Sequence, residues 1–447
     1  RYHADGQVEG EVYEWGSFLQ SRMYQAGVTC SDCHDPHSGK THAQGNDLCV
    51  RCHAPARFDR PSHSHHAQDA SGRAPRCVDC HMPASTFMQI DERRDHSIRI
   101  PRPDHSVSFG TPNACNACHA KESAAWASDQ LAKWLPKAPA RKHFVEALGR
   151  DRQGALDAPL ALREVAADIT VPAIARATAL ERLGRYPAQK TVQALRDGLG
   201  SRDALVVYGA VLGATPLPLA QRAPLLLPAL GHAARAVRIA AAKLLAGVPP
   251  AQLSTRDRDA LERAWGEVEQ SFAVSASRAE THVERSAFEL ARGKPAEAES
   301  ALQTALRLQP CLAEAHLNLA ELARQRGDEA AAEQALRSAI ECQPRSAAAH
   351  HALGLWQVRA HQSKAALASL KKAVELAPGD ARFSYVLAVA LHGDGERDAA
   401  IRVLEAALEE RPNDASALQA LASYLDEAGQ RERAAETQRK LAMLLGD

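Results

Sequence analysis

The sequence predicts a mainly α-helical chain with two unlike parts: an irregular front segment rich in potential ligands, then an α-solenoid of stacked helices. Three observations point there. Eight of the ten cysteines and twelve of the twenty histidines fall within residues 1–119, while residues 120–310 contain no cysteine. Proline recurs at 310, 344, 378 and 412, a period of 34. Aromatic residues make up only 4% of the chain, so Ala and Leu must fill the helical cores, and the front, poor in large aliphatics, must be organised by something else.

At 447 residues the chain has room for two to four domains. Lys+Arg and Asp+Glu are equal at 54 each, so no overall field draws nucleic acid or an anionic membrane. The longest apolar stretch, Ala204 to Gly231, is interrupted by Pro216, Pro218, Gln221 and Arg222, which predicts no transmembrane segment. The composition shifts mark four regions: an irregular domain over 1–122, a helical linker over 123–150, helical repeats over 151–275 and a second repeat set over 279–447.

The front region carries four copies of one string. They are Cys30-Ser-Asp-Cys33-His34, Cys49-Val-Arg-Cys52-His53, Cys77-Val-Asp-Cys80-His81 and Cys115-Asn-Ala-Cys118-His119. C-x-x-C-H is the attachment signature of c-type haem. Residues three and four apart share a helix face, so two thiols reach the two vinyl groups while the adjacent histidine reaches the iron. The 15 residues between Cys33 and Cys49 also suit a zinc ribbon, and a disulfide framework is the other plain reading. Neither explains a histidine directly after every second cysteine. Four haems c are therefore expected, bound by Cys30, Cys33, Cys49, Cys52, Cys77, Cys80, Cys115 and Cys118, with His34, His53, His81 and His119 on the iron.

A sixth iron ligand must come from elsewhere. Eight further histidines lie in the segment: His3, His37, His42, His63, His65, His66, His96 and His105. Met23, Met82 and Met88 are the other candidates, and Met82 adjoins His81 too closely to reach across its own iron. The surplus favours bis-histidine ligation. His37, turned away by Pro36, the cluster of His63, His65 and His66, and His96 are the preferred donors; His42 and His105 are less favoured. Asp95 is expected to orient His96.

Behind the motifs, Trp126, Leu131, Trp134 and Leu135 sit at helical spacing up to Pro136. Ala173–Leu183, Ala204–Ala214 and Val237–Ala246 are small, apolar helices spaced like a HEAT-like array. From 279 onward Gly293, Gly327, Gly395 and Gly429 share the 34-residue period, with His361 in the middle unit; Ala298, Ala332, Ala366, Ala400 and Ala434 follow it, as do Leu302, Leu336, Leu370 and Leu404. This pattern resembles about five tetratricopeptide repeats. The first departs from it at Arg285 and Ser286, as terminal repeats do. Cys311 and Cys342 fall at the same end of neighbouring helical pairs, either bridged or as separate thiols. Trp356, His316, His350 and His351 read as repeat packing or surface.

The run from Gly27 to His37 followed by Gly45 to His53 resembles the doubled C-x-x-C-H module of multihaem cytochromes c. Cys80-His-Met-Pro83, Arg94 to Pro103 and Gly110 to His119 are similar to large bacterial proteins that join such a region to tetratricopeptide repeats. The resemblance implies closely packed haems, electron transfer, redox partner proteins held by the solenoid, and a periplasmic or extracellular site in a bacterium. The rival expectation is a redox enzyme acting on a small nitrogen or sulfur compound at an open haem. Related nitrite-reducing enzymes place Lys after the second Cys, and no C-x-x-C-K occurs here. A haem-based sensor is a third reading. Because the chain opens at Arg1 without Met or a secretion signal, it reads as the C-terminal part of a longer protein, with His3 serving a haem bound upstream.

Overall fold

The computed structural model describes residues 2–67, 75–135 and 143–446. Pro136, the expected helix stop, lies outside them; the helix it was to end runs Ala124–Trp134. The chain forms two compact units, Arg1–Arg152 with Ala161–Ala179, and Gln153–Leu160 with Leu180–Asp447.

The front of the first unit is built from single helical turns. Glycine, proline or aspartate follows several of them closely, and the C-x-x-C-H turns bury no residue of their own. Between residues 2 and 135 the buried apolar side chains among the described residues are Ala4, Phe18, Leu19, Phe87, Pro103 and Ala127. That is far too little to hold so long a segment together. A two-stranded antiparallel hairpin, Ala84–Phe87 with Asp91–Arg94, interrupts the helices; Ala84 pairs with Arg94 and Phe87 with Asp91. The sequence reading contains no strand here. Met88 and Gln89 take positive φ in its turn without the Asn or Gly that usually announces one.

Buried polar groups tie this unit together. Asp5, nearly inaccessible, accepts from the Gln7 amide and side chain, and Gln7 Nε2 donates to the Pro112 carbonyl. Arg99 reaches the Asp5 carbonyl at 3.0 Å and lies 3.5 Å from its carboxylate. Residues 2–9 are thereby fixed against 95–112.

In the second unit, helices Ala204–Gly213 and Arg235–Leu244 coincide with two of the small apolar segments expected from the sequence, and Ala173–Leu183 with the third. The small residues are used for close approach: a Cβ on Gly213 would stand 2.3 Å from the Leu180 carbonyl oxygen. Beyond Thr255–Val274, five helical hairpins follow among the described residues, starting at Ala279–Ala291 with Pro295–Leu308 and ending at Ala415–Glu427 with Arg431–Leu445. Asp328, Ser346, Asp380 and Asp414 cap first or second helices with their side chains. Gly293, Gly327, Gly395 and Gly429 turn each hairpin in the left-handed region, and His361 adopts the same region at φ 57°. The repeated Ala and Leu positions are buried, as the period requires, and the last repeats share one core through Leu370, Leu387, Leu391, Leu404 and Leu421.

Cys311 and Cys342 form a disulfide across successive repeats. His316 and His350, 34 apart, each donate Nε2–H to a carbonyl of the preceding loop, Pro310 and Pro344, and His282 does the same to Ala276. Trp356 is buried in the repeat core, and buried His351 packs on Phe383. Early helices of this unit meet its last repeats: Asn413 Nδ2 donates to the Tyr186 hydroxyl at 2.7 Å, and the Lys190 ammonium donates to the Gly446 carbonyl.

Candidate functional site

Three C-x-x-C-H strings place both cysteines in one helical turn, Cys30–Cys33, Cys77–His81 and Cys115–Cys118, while in the second Cys49 lies in the turn Asp47–Val50 and Cys52 and His53 follow it. Nearby polar side chains start three of them. Asp32 accepts from Thr29 N at 2.7 Å, and the Thr29 hydrogen bonds hold its carboxyl below the ordinary range. Asp79 accepts from Arg76 N at 3.0 Å, and Asn113 Oδ1 accepts from Asn116 N at 3.1 Å. Arg94 fastens the third turn from the hairpin, donating to the Val78 and Met82 carbonyls and to Asp79.

The turns are brought together in chain order. Cys33 lies near enough to Cys49 and Cys52, Cys77 to Cys49, and Cys80 to Cys115 and Cys118 for each to oppose its neighbour's ionisation. Burial raises the thiols of Cys33, Cys77, Cys80 and Cys115, Cys77 to about 11, and neighbouring thiols add to the rise. Redox-active C-x-x-C pairs depend on the opposite shift.

The decisive geometry lies in the imidazoles. His34 faces His96 with ring centres 6.3 Å apart, His81 faces His63 at 6.0 Å, and His119 faces His66 at 6.0 Å. In four of these rings Nδ1–H donates to a backbone carbonyl: His34 to Gly39 at 3.0 Å, His96 to Arg94 at 2.9 Å, His81 to Arg99 at 2.8 Å and His66 to Ser64 at 2.6 Å. A neutral ring that donates from Nδ1 keeps its lone pair on Nε2. The partner His63 is pushed below the ordinary imidazole value by burial, then by His81, which favours the neutral form a ligand needs.

The donor set fits haem. A metal ion held between two imidazole nitrogens at about 2.1 Å each sets the ring centres roughly 6 Å apart, the observed spacing. Among the described residues no three or more ligating side chains converge as a bare ion would require. Pairs of imidazoles beside paired thiols suit a macrocycle that brings its own four nitrogens. The scarcity of buried side chains around the turns leaves such a group as interior.

His53 differs. All twenty histidines lie among the described residues, and none of their rings packs against His53. Its aromatic contact there is Phe58, edge-on at 5.5 Å, and Phe58 meets His63 in the same way at 5.4 Å. His53 is also exposed, whereas His34, His81 and His119 are half-buried.

The other expected donors stand away from the motif histidines. His37 is exposed, and its backbone N–H donates to Asp35. His42 donates Nε2–H to the Ser31 carbonyl, and His65 stacks on Trp134. His3 lies 3.8 Å from Glu9. Asp95 does not orient His96: being buried, its carboxylate is taken by the amides of Ser97 and Val8. His105 packs instead against His143, ring centres 4.9 Å apart, and burial drives His143 down to about 3. Sequence reasoning missed His143 because it lies beyond the cysteine-rich segment, in a region read only as a linker.

Comparison with known families matches residues 24–58 to the doubled CXXCH motif and residues 289–347 and 357–425 to the tetratricopeptide repeat. The front carries a doubled CXXCH motif, and the back carries tetratricopeptide repeats. The former implies covalent binding of haem c, the latter protein–protein interaction. Comparison with curated proteins found no match. Among solved structures, the chain is similar to MamA, at 23% identity over 36% of this chain and 93% of that one (TM-score 0.32). It is also similar to MamA 41-end from Desulfovibrio magneticus RS-1, at 26% over 37% and 94% (0.32), and to YrrB, a TPR protein with an unusual peptide-binding site, at 21% over 40% and 92% (0.31). Among the described residues no helix is long and apolar enough to cross a membrane.

Proposed function

We propose that this protein is a multihaem c-type cytochrome that transfers electrons, with a solenoid, HEAT-like over 151–275 and then tetratricopeptide, that docks redox partner proteins. The observation that carries it is the set of three imidazole pairs spaced 6.0–6.3 Å apart, each containing the histidine of a C-x-x-C-H turn. Haem supplies one-electron iron chemistry. The cysteines of the four motifs would anchor four macrocycles, and His34 with His96, His81 with His63 and His119 with His66 would ligate three of the irons. Carbonyls of Gly39, Arg94, Arg99 and Ser64 fix the rings and increase their basicity, which favours the oxidised iron and low potentials. The proximity of consecutive thiol pairs supports haem-to-haem transfer along the chain order. A bacterial periplasmic or cell-surface site is supported by the Cys311–Cys342 disulfide, a bond of oxidising compartments.

One observation favours a second reading, a redox enzyme for a small nitrogen or sulfur compound. His53 faces no second imidazole among the described residues, so the second haem is the place for an open iron.

The test is the intact mass of protein matured in a cytochrome c-competent host, with a pyridine-haemochrome assay. Four added haems support the proposal. A colourless polypeptide carrying zinc overturns it.

A further inference from the structure

The imidazole pair of the fourth motif, His119 with His66, is bordered on both members by tryptophans, and both tryptophans come from one helix. In Ala124–Trp134, Ser123 caps the N-terminus by accepting from Trp126 N at 3.1 Å. Trp126 lies against His119 with ring centres 4.9 Å apart. Two turns further on, Trp134 lies face to face with His65, 4.6 Å between centres and 8° between planes, and meets His66 edge-on at 5.9 Å. The two tryptophans thus border both members of the pair: Trp126 the motif histidine, Trp134 the segment that offers its partner.

That segment contains two adjacent histidines, and either type of ring is chemically able to ligate iron. Their settings differ. His65 ends the Pro61–Ser64 turn with φ 56°, in the left-handed region that few residues other than glycine occupy and that histidine enters more readily than most. Its ring is committed to the Trp134 face. His66 follows with Nδ1–H on the Ser64 carbonyl at 2.6 Å and its amide on Ser64 Oγ at 3.3 Å, its ring 6.0 Å from His119. Stacking one ring holds the unusual backbone step that presents the other.

We propose that Trp134 is a positioning residue which, by stacking on His65, selects His66 as the partner of His119 on the fourth haem iron. The inference rests on the haem reading of the fourth motif. Trp134 belongs to none of the four C-x-x-C-H strings, so haem attachment does not require its side chain. Loss of the stack frees His65 and releases His66 from its aim, leaving the fourth iron with a changed or missing sixth ligand.

The experiment compares the parent with Trp134→Ala, Trp134→Phe and His65→Phe, each matured with haem. The parent haem count by pyridine haemochrome tests the underlying reading first; fewer than four haems there sinks that reading, whereas the variants test the clamp. In W134A one of four ferric haems is expected to leave its parent low-spin signal in electron paramagnetic resonance, with one shifted wave in a spectroelectrochemical titration. W134F and H65F, which keep two flat rings in contact, are expected to retain the parent signals. Parent spectra and potentials in W134A overturn the proposal, and so does loss of a low-spin haem in H65F, which would make His65 itself the ligand. Should W134A fail to fold, the H65F result alone still decides between His65 as stacking ring and His65 as ligand.

Discussion

His34 and His96, drawn from opposite ends of the cysteine-rich segment, face each other at 6.3 Å with both Nδ1 atoms turned to carbonyls. Neither residue is near the other in sequence, so the fold itself builds the pair. His96→Ala is therefore expected to keep four haems but convert one of the three bis-imidazole low-spin irons to high-spin. Magnetic circular dichroism in the near infrared measures this; an unchanged bis-imidazole band would show that another residue holds the first iron.

His53 leads to a different expectation. In the reduced protein, CO is expected to bind one haem in four, at the second motif, while the paired irons stay closed. A photometric titration gives the stoichiometry directly. No CO difference spectrum means a sixth ligand reaches that iron and removes the enzyme reading.

Cys311–Cys342 closes a loop with a sequence separation of 31 between neighbouring repeats. Constraining the unfolded chain in this way contributes about 3.7 kcal/mol by loop entropy. Cys342→Ala is expected to lower the urea midpoint of the helical part, and reductant to do the same to the parent only. Equal midpoints with and without reductant would show that the bridge contributes nothing.

Arg238 clasps Glu267 with two hydrogen bonds, 2.9 Å and 2.6 Å, and these hold the Glu267 carboxyl below its ordinary 4.5. A carboxyl depressed in the folded state adds stability above its unfolded value, and that stability is lost as pH falls through the folded one. The pair is partly solvated, so the effect is at most about 1 kcal/mol. Glu267→Gln is expected to be less stable than the parent at neutral pH and to lose that difference as pH falls from the ordinary carboxylate range through the lowered folded value. A gap between the two that persists in acid contradicts the assignment.

Gly213 admits no side chain. A Cβ there would stand 2.3 Å from the Leu180 carbonyl oxygen and 2.6 Å from Leu195 Cδ2. Gly213→Ala is expected to cost about 1–3 kcal/mol by forcing the two helices apart. Thermal unfolding of the variant reads it, with a parent-like Tm as the contrary result.

Local spacing alone determined the cysteine turns and the repeats. Cys30 to His34 and its three copies are legible because attachment chemistry acts within one helical turn. The alternation of Gly327, Ala332, Leu336 and Pro344 is legible because each helical pair packs only on its neighbours. Tertiary structure decided what no spacing encodes. It set His63, His66 and His96 opposite motif histidines, turned His65 onto Trp134, and paired His105 with His143. It also closed a hairpin over Met88 and Gln89 and joined Cys311 to Cys342. An imidazole becomes a partner by where its Nε2 arrives, and in a segment of short turns with few buried side chains that is settled by long-range hydrogen bonds such as Arg99 to Asp5 and His81 to Arg99, which leave no period in the sequence.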